Sequence, residues 1–297
     1  MEAPTEQLLR QLKSLADPVR LRLVALCRHG ECSVTELTEV LGQSQPRVSQ
    51  HLKQLCEAGL LERFRDGRRV YYRVTLAKGG TVRRRLLELI PVDRFIAADA
   101  ERLRRLRGQG APRPLPAPTD EDEPTDRGVH RALLDLTITA PLGDLLDIGC
   151  GRGRTLKLLA SRANRAVGVD VDANARQLAR SELMLAGLPN CSLRQGDMYQ
   201  LPFADGEFDT VILDAVLADA VRPVRALLEA KRLLRGGGRL IVLERLQSRS
   251  STELQKSLAG WSATAGLRLG HARLVPKKAP AWSLSVATTA QGQSAAA

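Results

Sequence analysis

Gly149, Gly151 and Gly153 recur at alternate positions directly after the apolar run Leu145-Leu146-Asp147-Ile148. Such a run reads as a buried parallel strand. A turn this tight needs residues free to take positive φ and to let a ligand approach the backbone. Thr155 to Arg162 then reads as a helix, so the loop is expected to present free N–H groups at a helix N-terminus. Strand, loop and helix together mark the ligand crevice of a doubly wound α/β sheet. The spacing is G-x-G-x-G, whereas a dinucleotide fingerprint would place its third small residue where Arg154 stands. Ala166-Val167-Gly168-Val169 reads as a second strand ending in Asp170, at about the distance from the loop where a carboxylate takes ribose hydroxyls. Gly196-Asp197-Met198 closes a third strand, and Glu207 to Asp214 forms a fourth that empties into the crevice.

Asp147 ahead of the glycine loop, Asp170 and Gly196-Asp197-Met198, in that order, resemble the class I S-adenosylmethionine-dependent methyltransferases. The resemblance implies S-adenosylmethionine or S-adenosylhomocysteine as ligand. It assigns the binding to Asp147, Gly149, Cys150, Gly151, Gly153, Asp170, Val171, Asp197, Met198 and Asp214, with Asp197 and Met198 at the adenine edge. It also implies a seven-stranded sheet. Here Val224 to Leu234 is a helix ending in Arg235-Gly236-Gly237-Gly238, and Arg239 to Glu244 is strand five, with Leu267 to Leu274 and Trp282 to Ala287 as the final antiparallel pair.

Binding and methyl transfer are separate matters, because function lives in sites rather than folds. Transfer needs an acceptor pocket and often a positioned base. The chain has no N/D-P-P-Y/F tetrapeptide after strand four, where it reads Leu213-Asp214-Ala215-Val216, which disfavours methylation of nucleobase amino groups. His130 and His271 show no partner in the sequence, and no catalytic residue is assigned. Asp214 reads either as a contact to the ligand or an acceptor, or as a cap for the next helix.

The N-terminal part carries a different chemistry. Residues 6–14 and 18–29 read as amphipathic helices, the second opened by Asp17 as N-cap and Pro18 at the first helical position, with Val19, Leu23, Leu26 and Cys27 on one face. Val34 to Leu41 is a short helix closed by Gly42, and Ser44-Gln45-Pro46 opens another that Gly59 stops. Two short helices joined through such a turn form a helix-turn-helix. Val48, Leu52 and Leu55 make the inner stripe of the second helix. Ser44, Gln45, Arg47, Ser49, Gln50 and Lys53 stay outside, as side chains suited to base edges or phosphates, or simply as a solvated face. The segments that follow favour the first alternative. Leu60 to Arg65 and Arg68 to Val74 alternate as strands around Asp66-Gly67, a hairpin signal. Arg65, Arg68 and Arg69 on its flanks suit backbone phosphates or the minor groove.

From Leu8 to Val74, including Leu15-Ala16-Asp17-Pro18-Val19-Arg20 and the stretch from Ser44 to Lys53, the chain resembles the ArsR-type winged-helix repressors. The resemblance implies double-stranded DNA as partner. Many metal sensors of that family carry two cysteines around a valine, where this chain has Ser33 and Thr35 flanking Val34. Hydroxyls are poor ligands for soft metals, so no metal site is expected, and Cys27 and Cys56 are expected to pack as small hydrophobes. Residues 81–107 form an apolar helical pattern broken at Pro91, hence two helices or a kink. By resemblance these pair with the N-terminal helix across a homodimer; the alternative is packing on the domain's own core.

Composition sets the remaining bounds. The 297 residues suffice for two domains. No apolar run approaches a membrane span and no signal pattern opens the chain, and five scattered cysteines without a C-x-x-C pair fit reduced thiols; a cytoplasmic location follows as an expectation. The net charge of +12 permits a nucleic-acid partner. Residues 1–107 hold 21 basic and 13 acidic side chains, and residues 129–297 hold 22 and 15, so basicity is not confined to one half. Prolines alternating with small residues, then Asp120-Glu121-Asp122-Glu123, read as a semi-rigid linker over 108–128. The expected organisation is thus a winged-helix domain over 1–107, an α/β domain over 129–289 and a disordered tail at 290–297. Two functions fit: a transcriptional regulator, expected to be a repressor of methionine-cycle genes, that senses the S-adenosyl ligand, or a small-molecule methyltransferase with its own regulatory DNA-binding domain.

Overall fold

The computed structural model describes residues 4–67, 69–75, 81–91, 93–109, 124–246, 250–275 and 281–289. They form two compact units. One holds the described residues up to Gln109 together with Arg180–Ser192; the other holds Pro124–Ala179 and the described residues from Leu193 onward. Arg68, most of the stretch read as a linker (110–123) and the tail from 290 lie outside the described residues.

The first unit opens with helix α1 (Pro4–Leu15) and α2 (Pro18–Cys27). Asp17 caps α2, its side chain accepting from Arg20 N at 2.9 Å. The inner face of α2 is broader than the spacing predicts: Leu23 through Cys27 are all buried. A short strand β1 (Cys32–Ser33) leads into α3 (Val34–Leu41), where Ser33 turns out to be an N-cap. Glu36 N donates to Ser33 Oγ at 3.2 Å, and Ser33 N donates to Glu36 Oε2 at 2.6 Å. That reciprocal capping box gives Ser33 a structural reason to be where a thiolate would otherwise stand. Helix α4 (Gln45–Glu57) follows, then the hairpin β2 (Leu61–Asp66) and β3 (Arg69–Val74), paired from Leu61↔Val74 to Asp66↔Arg69. Asp66 therefore belongs to the strand rather than the turn. Cys32 and Ser33 of β1 add to the outer edge of β3. Helices α5 (Thr81–Glu88) and α6 (Arg94–Gln109) are separate, as Pro91 requires.

The second unit starts with a helix absent from the sequence reading, α7 (Pro124–Thr139), which begins inside the expected linker. Along the chain then come β4 (Asp144–Ile148), α8 (Arg154–Leu159), β5 (Arg165–Asp170), α9 (Ala173–Leu185), β6 (Cys191–Gln195) and β7 (Phe208–Asp214), of which the end of α9 from Arg180 and the first two residues of β6 count with the first unit. The chain continues through α10 (Pro223–Leu233), β8 (Leu234–Arg245), α11 (Ser251–Thr264), β9 (Leu267–Leu269), β10 (Arg273–Val275) and β11 (Trp282–Thr289). The sheet order is β10-β11-β8-β7-β4-β5-β6, with β9 also on β11. β4, β5, β7 and β8 run parallel and β11 antiparallel.

Two expectations are corrected here. Among the described residues the sheet has eight strands, not seven, because the last antiparallel partner is split into β9 and β10 on the two ends of β11. Arg235 to Gly238 does not close the helix ahead of strand five; it lies within β8, and the register against β7 shifts between Phe208 and Thr210 to accommodate it. An irregularity absorbed as a bulge lets a glycine run stay in a strand. The core is apolar on both sheet faces, with Leu146, Ile148, Val167, Val169, Leu213 and Val242 buried on one and Leu145, Ala166, Ile212 and Ile241 on the other. Full burial on both faces is why these strands read as continuous apolar runs. Among the described residues no helix is long and apolar enough to cross a membrane.

Candidate functional site: a glycine-loop cavity and a separate DNA-reading face

A cavity of about 390 Å³ opens at the C-terminal ends of β4, β5 and β7 in the second unit. Gly149, Cys150, Gly151, Asp170 and Asp214 line it. Asp147, Gly153, Val171, Asp197 and Met198 are outside that lining. Gly153 is the buried N-cap of α8, Val171 and Asp197 are exposed, and Met198 packs on the core. Asp197 Oδ1 accepts from Tyr199 N at 3.0 Å, in a tight turn closed by a bridge to Gln200.

The N–H groups of Gly149, Cys150, Gly151 and Gly153 are engaged within the protein rather than free. Gly149 N and Cys150 N donate to Val169 O at 2.8 and 3.1 Å, Gly153 N donates to Cys150 O at 2.7 Å, and Gly151 N donates to Asp170 Oδ2 at 2.8 Å. The loop is tied to the end of β5, so these donors do not form a phosphate cradle. Asp170 Oδ1 accepts from Asp172 N at 2.8 Å. An ionised carboxylate has about four lone-pair sites, so Asp170 keeps acceptor capacity toward ribose hydroxyls while it positions the loop.

Asp214 resolves one of the open alternatives. Its Oδ2 accepts from Thr155 Oγ1 at 2.7 Å rather than capping the following helix. Burial pushes its carboxyl up, and the Thr155 hydroxyl and the Arg154 and Arg245 charges oppose that shift. Asp147 lies deeper. It is fully buried, and neither carboxylate oxygen has a hydrogen-bond partner among the described residues. Burial first, then the charges of Asp214 and Asp170, push its pKa well above the usual carboxylate range.

That arrangement gives a prediction. A folded-state pKa above the unfolded value means that the fold favours the protonated acid, so this contribution to stability is complete below the ordinary carboxylate pKa and is lost as pH rises toward the folded value. Asp147→Asn, isosteric with the neutral acid, is expected to raise the unfolding midpoint of the second unit at pH 7.5, by about 1–3 kcal/mol in stability, and to leave it unchanged near pH 4. Calorimetric melts at the two pH values check this; equal midpoints for variant and wild type at pH 7.5 would refute it.

The other wall of the cavity was not legible in the sequence. Val129, His130 and Leu133 come from α7, Val216 from the segment after β7, and Leu243, Arg245 and Trp282 from β8 and β11. Arg245 stacks on the Trp282 ring at 4.6 Å from its centroid. His130, read from sequence as unremarkable, is half-buried in this wall, whereas His271 is exposed. The only hint in the sequence was the apolar spacing Val129, Ala132, Leu133, Leu136, which is helical.

In the first unit Val48, Leu52 and Leu55 of α4 are fully buried. Ser44, Gln45, Arg47, Gln50 and Lys53 are exposed and Ser49 is half-buried. Arg65 and Arg69 are exposed on the hairpin, joined there by Arg63, which the strand alternation also points outward. Arg20 Nη1 donates to Gln54 Oε1 at 2.6 Å, which fixes the outer edge of α4 to α2. Cys27 and Cys32 are buried, and the side-chain hydrogen bond between them, then burial, pushes the Cys27 thiol well up. Thr35 is exposed. Among the described residues no group of three or more His, Cys, Asp or Glu side chains could hold a metal ion.

A winged helix and a parallel sheet with a glycine-loop cavity define a DNA-binding regulator domain followed by a class I methyltransferase-type domain. Residues 17–63 match the family described as bacterial regulatory protein, arsR family, and residues 146–242 match the methyltransferase domain family. The chain is 42% identical over 78 residues to the biofilm growth-associated repressor of Xylella fastidiosa, covering 26% of this chain and 68% of the repressor. It is 38% identical over 119 residues to the nocamycin O-methyltransferase of Saccharothrix syringae, covering 38% of this chain and 42% of that enzyme. An uncharacterized 37.1 kDa protein in transposon TN4556 of Streptomyces fradiae is 36% identical over 121 residues, which cover 40% of this chain and 34% of that protein. The chain belongs to the arsR family of bacterial regulators, and its C-terminal part is a class I S-adenosylmethionine methyltransferase domain.

Proposed function

We propose that the protein is a cytoplasmic transcriptional repressor that senses S-adenosylmethionine or S-adenosylhomocysteine through its methyltransferase-type domain and controls genes of the methionine cycle. The supporting observation is the pairing, in one chain, of an α4 whose polar face is exposed with a cavity framed by Gly149, Gly151, Asp170 and Asp214. The S-adenosyl ligand is proposed to sit in that cavity, with Asp170 toward the ribose. Asp147, Gly153, Val171, Asp197 and Met198 belong to the proposal as surrounding positions. The organisation over 1–107, 108–128 and 129–289 is carried forward in the same way.

Operator DNA is proposed to meet Ser44, Gln45, Arg47, Ser49, Gln50 and Lys53 on α4, and the hairpin through Arg65, Arg68 and Arg69. A second copy of the chain is proposed to cover Leu9 and Leu12 of α1 with Leu89 and Phe95 near the α5–α6 junction, all exposed large apolar side chains. Ligand would favour one of two dimer arrangements and thereby change the DNA affinity.

The test is a gel shift on the gene's own upstream DNA, titrated separately with each ligand. A change in the shift at micromolar ligand supports the sensor, and the more potent ligand names the signal. DNA binding that neither ligand alters refutes it.

One observation favours the second reading, an active small-molecule methyltransferase. His130, a titratable side chain, lines the same cavity as the glycine loop. Labelled methyl appearing in a metabolite above background would decide for that reading.

A further inference from the structure

Ala215 is the one residue other than glycine with positive φ among the described residues, at 54°. That conformation costs energy for a residue with a Cβ and persists only where its surroundings enforce it. It sits directly after β7, in the segment whose Ala215 and Val216 line the cavity. Its neighbour Val216 packs so closely on Gly149 that a Cβ on that glycine would overlap Val216 Cγ1 and reach within 3.0 Å of the Asp214 carbonyl.

Two groups hold the segment in this shape. Ala215 N donates to Leu243 O at 2.7 Å. Beyond it, Glu244 Oε1 accepts from Leu217 N at 2.7 Å and Glu244 Oε2 accepts from Ala218 N at 3.3 Å, with a further bond from the Val216 N–H. Glu244 is buried on β8 and lines no part of the cavity. A carboxylate buried at a sheet centre is costly unless several donors satisfy it, and here the donors come from successive backbone groups of the strained segment.

We propose that Glu244 is the positioning residue of the ligand site: its carboxylate fixes the Ala215–Ala218 backbone against the glycine loop and so sets affinity for the S-adenosyl ligand. This rests on the ligand assignment above and adds a control of it.

Burial raises the Glu244 carboxyl to about 7, with the charge of Asp214 adding to the rise and the N–H donors opposing it. The groups that face it are the Asp214 carboxyl at the end of β7, itself raised, the backbone N–H groups of Val216–Ala218, and Ser283, its partner across the β8–β11 pairing. Arg245 follows it on β8. A protonated Glu244 places an O–H donor among N–H donors and gives up part of its hold. The ligand-ready form is the ionised one, so affinity falls as pH drops through about 7.

The experiment is titration calorimetry of the full-length protein with S-adenosylhomocysteine from pH 5.5 to 8.5, for wild type, Glu244→Gln and Glu244→Asp. Wild type is expected to lose about tenfold in affinity per pH unit at most below neutrality. Glu244→Gln is expected to bind at least about tenfold more weakly at pH 8 and to lack the part of the pH dependence that Glu244 causes, which leaves only that of Asp214 and its neighbours. Glu244→Asp keeps the charge and retains the pH dependence. A Glu244→Gln variant with wild-type affinity and pH profile overturns the proposal. If that variant does not melt cooperatively, Glu244→Asp decides: a retained pH dependence supports the proposal and a flat profile overturns it. Wild type that binds no ligand at any pH overturns the ligand assignment as well, which separates the two failures.

Discussion

Gly151→Val is expected to abolish S-adenosyl binding, with at least a hundredfold loss in affinity by calorimetry, while the second unit still unfolds cooperatively. An added Cβ at Gly151 meets nothing nearer than the Gly149 carbonyl at 4.0 Å, so the protein interior does not oppose the side chain. It projects instead into the cavity that Gly149, Gly151 and Asp170 line. The cost to the fold comes only from φ of +49°, about 1–3 kcal/mol for a residue other than glycine. Gly149→Ala gives the contrasting result. Its Cβ would collide with Val216 at φ of +82°, so stability and binding are lost together. If Gly151→Val binds as wild type does, the cavity is not the ligand site. If it unfolds as badly as Gly149→Ala, the loop is more constrained than its surroundings indicate.

The second large effect concerns DNA. Arg47 is exposed on α4, one turn ahead of Gln50 and outside the buried stripe of Val48, Leu52 and Leu55. A guanidinium there that reaches a base edge contributes about 1–3 kcal/mol, so Arg47→Ala is expected to weaken operator binding by roughly ten- to a hundredfold and to narrow the gap between operator and random DNA. Arg65→Ala with Arg69→Ala on the hairpin acts differently. An arginine on a backbone phosphate carries little sequence information, so the double change weakens binding to any duplex and lowers the salt slope by about one for each phosphate no longer neutralised. Anisotropy titrations across a range of salt concentrations separate the two behaviours. Equal losses on operator and random DNA for Arg47→Ala would remove it from base reading, and an unchanged salt slope for the hairpin pair would remove the wing from the phosphates. Neither change should alter ligand affinity, since these residues belong to the first unit and the cavity to the second.

Local chemistry made much of this protein legible. Asp17-Pro18 and Gly42 bound their helices, and the run around Asp66-Gly67 is a hairpin, because caps and turns are decided by a few adjacent residues. The order of Asp147, the glycine loop and Asp170 lies within two adjacent parallel strands, so spacing along the chain was enough to place it. The capping box of Ser33 and Glu36 was equally legible as Ser-x-x-Glu ahead of a helix, yet Ser33 was read only as a departure from a thiolate motif.

What the tertiary structure decided involves residues distant in sequence. The far wall of the cavity joins α7 to Trp282, and no periodicity within either segment announces that they meet. The loop's N–H groups are committed to Val169 and Asp170 because β5 ends beside β4, a matter of strand order rather than of the loop's own residues. Asp147 became a buried acid without a hydrogen-bond donor among the described residues, and Glu244 an anchor for the Ala215–Ala218 backbone, through the same packing. A sequence names a carboxylate; whether it stays charged depends on the water it loses and the donors it gains, and the fold alone sets both.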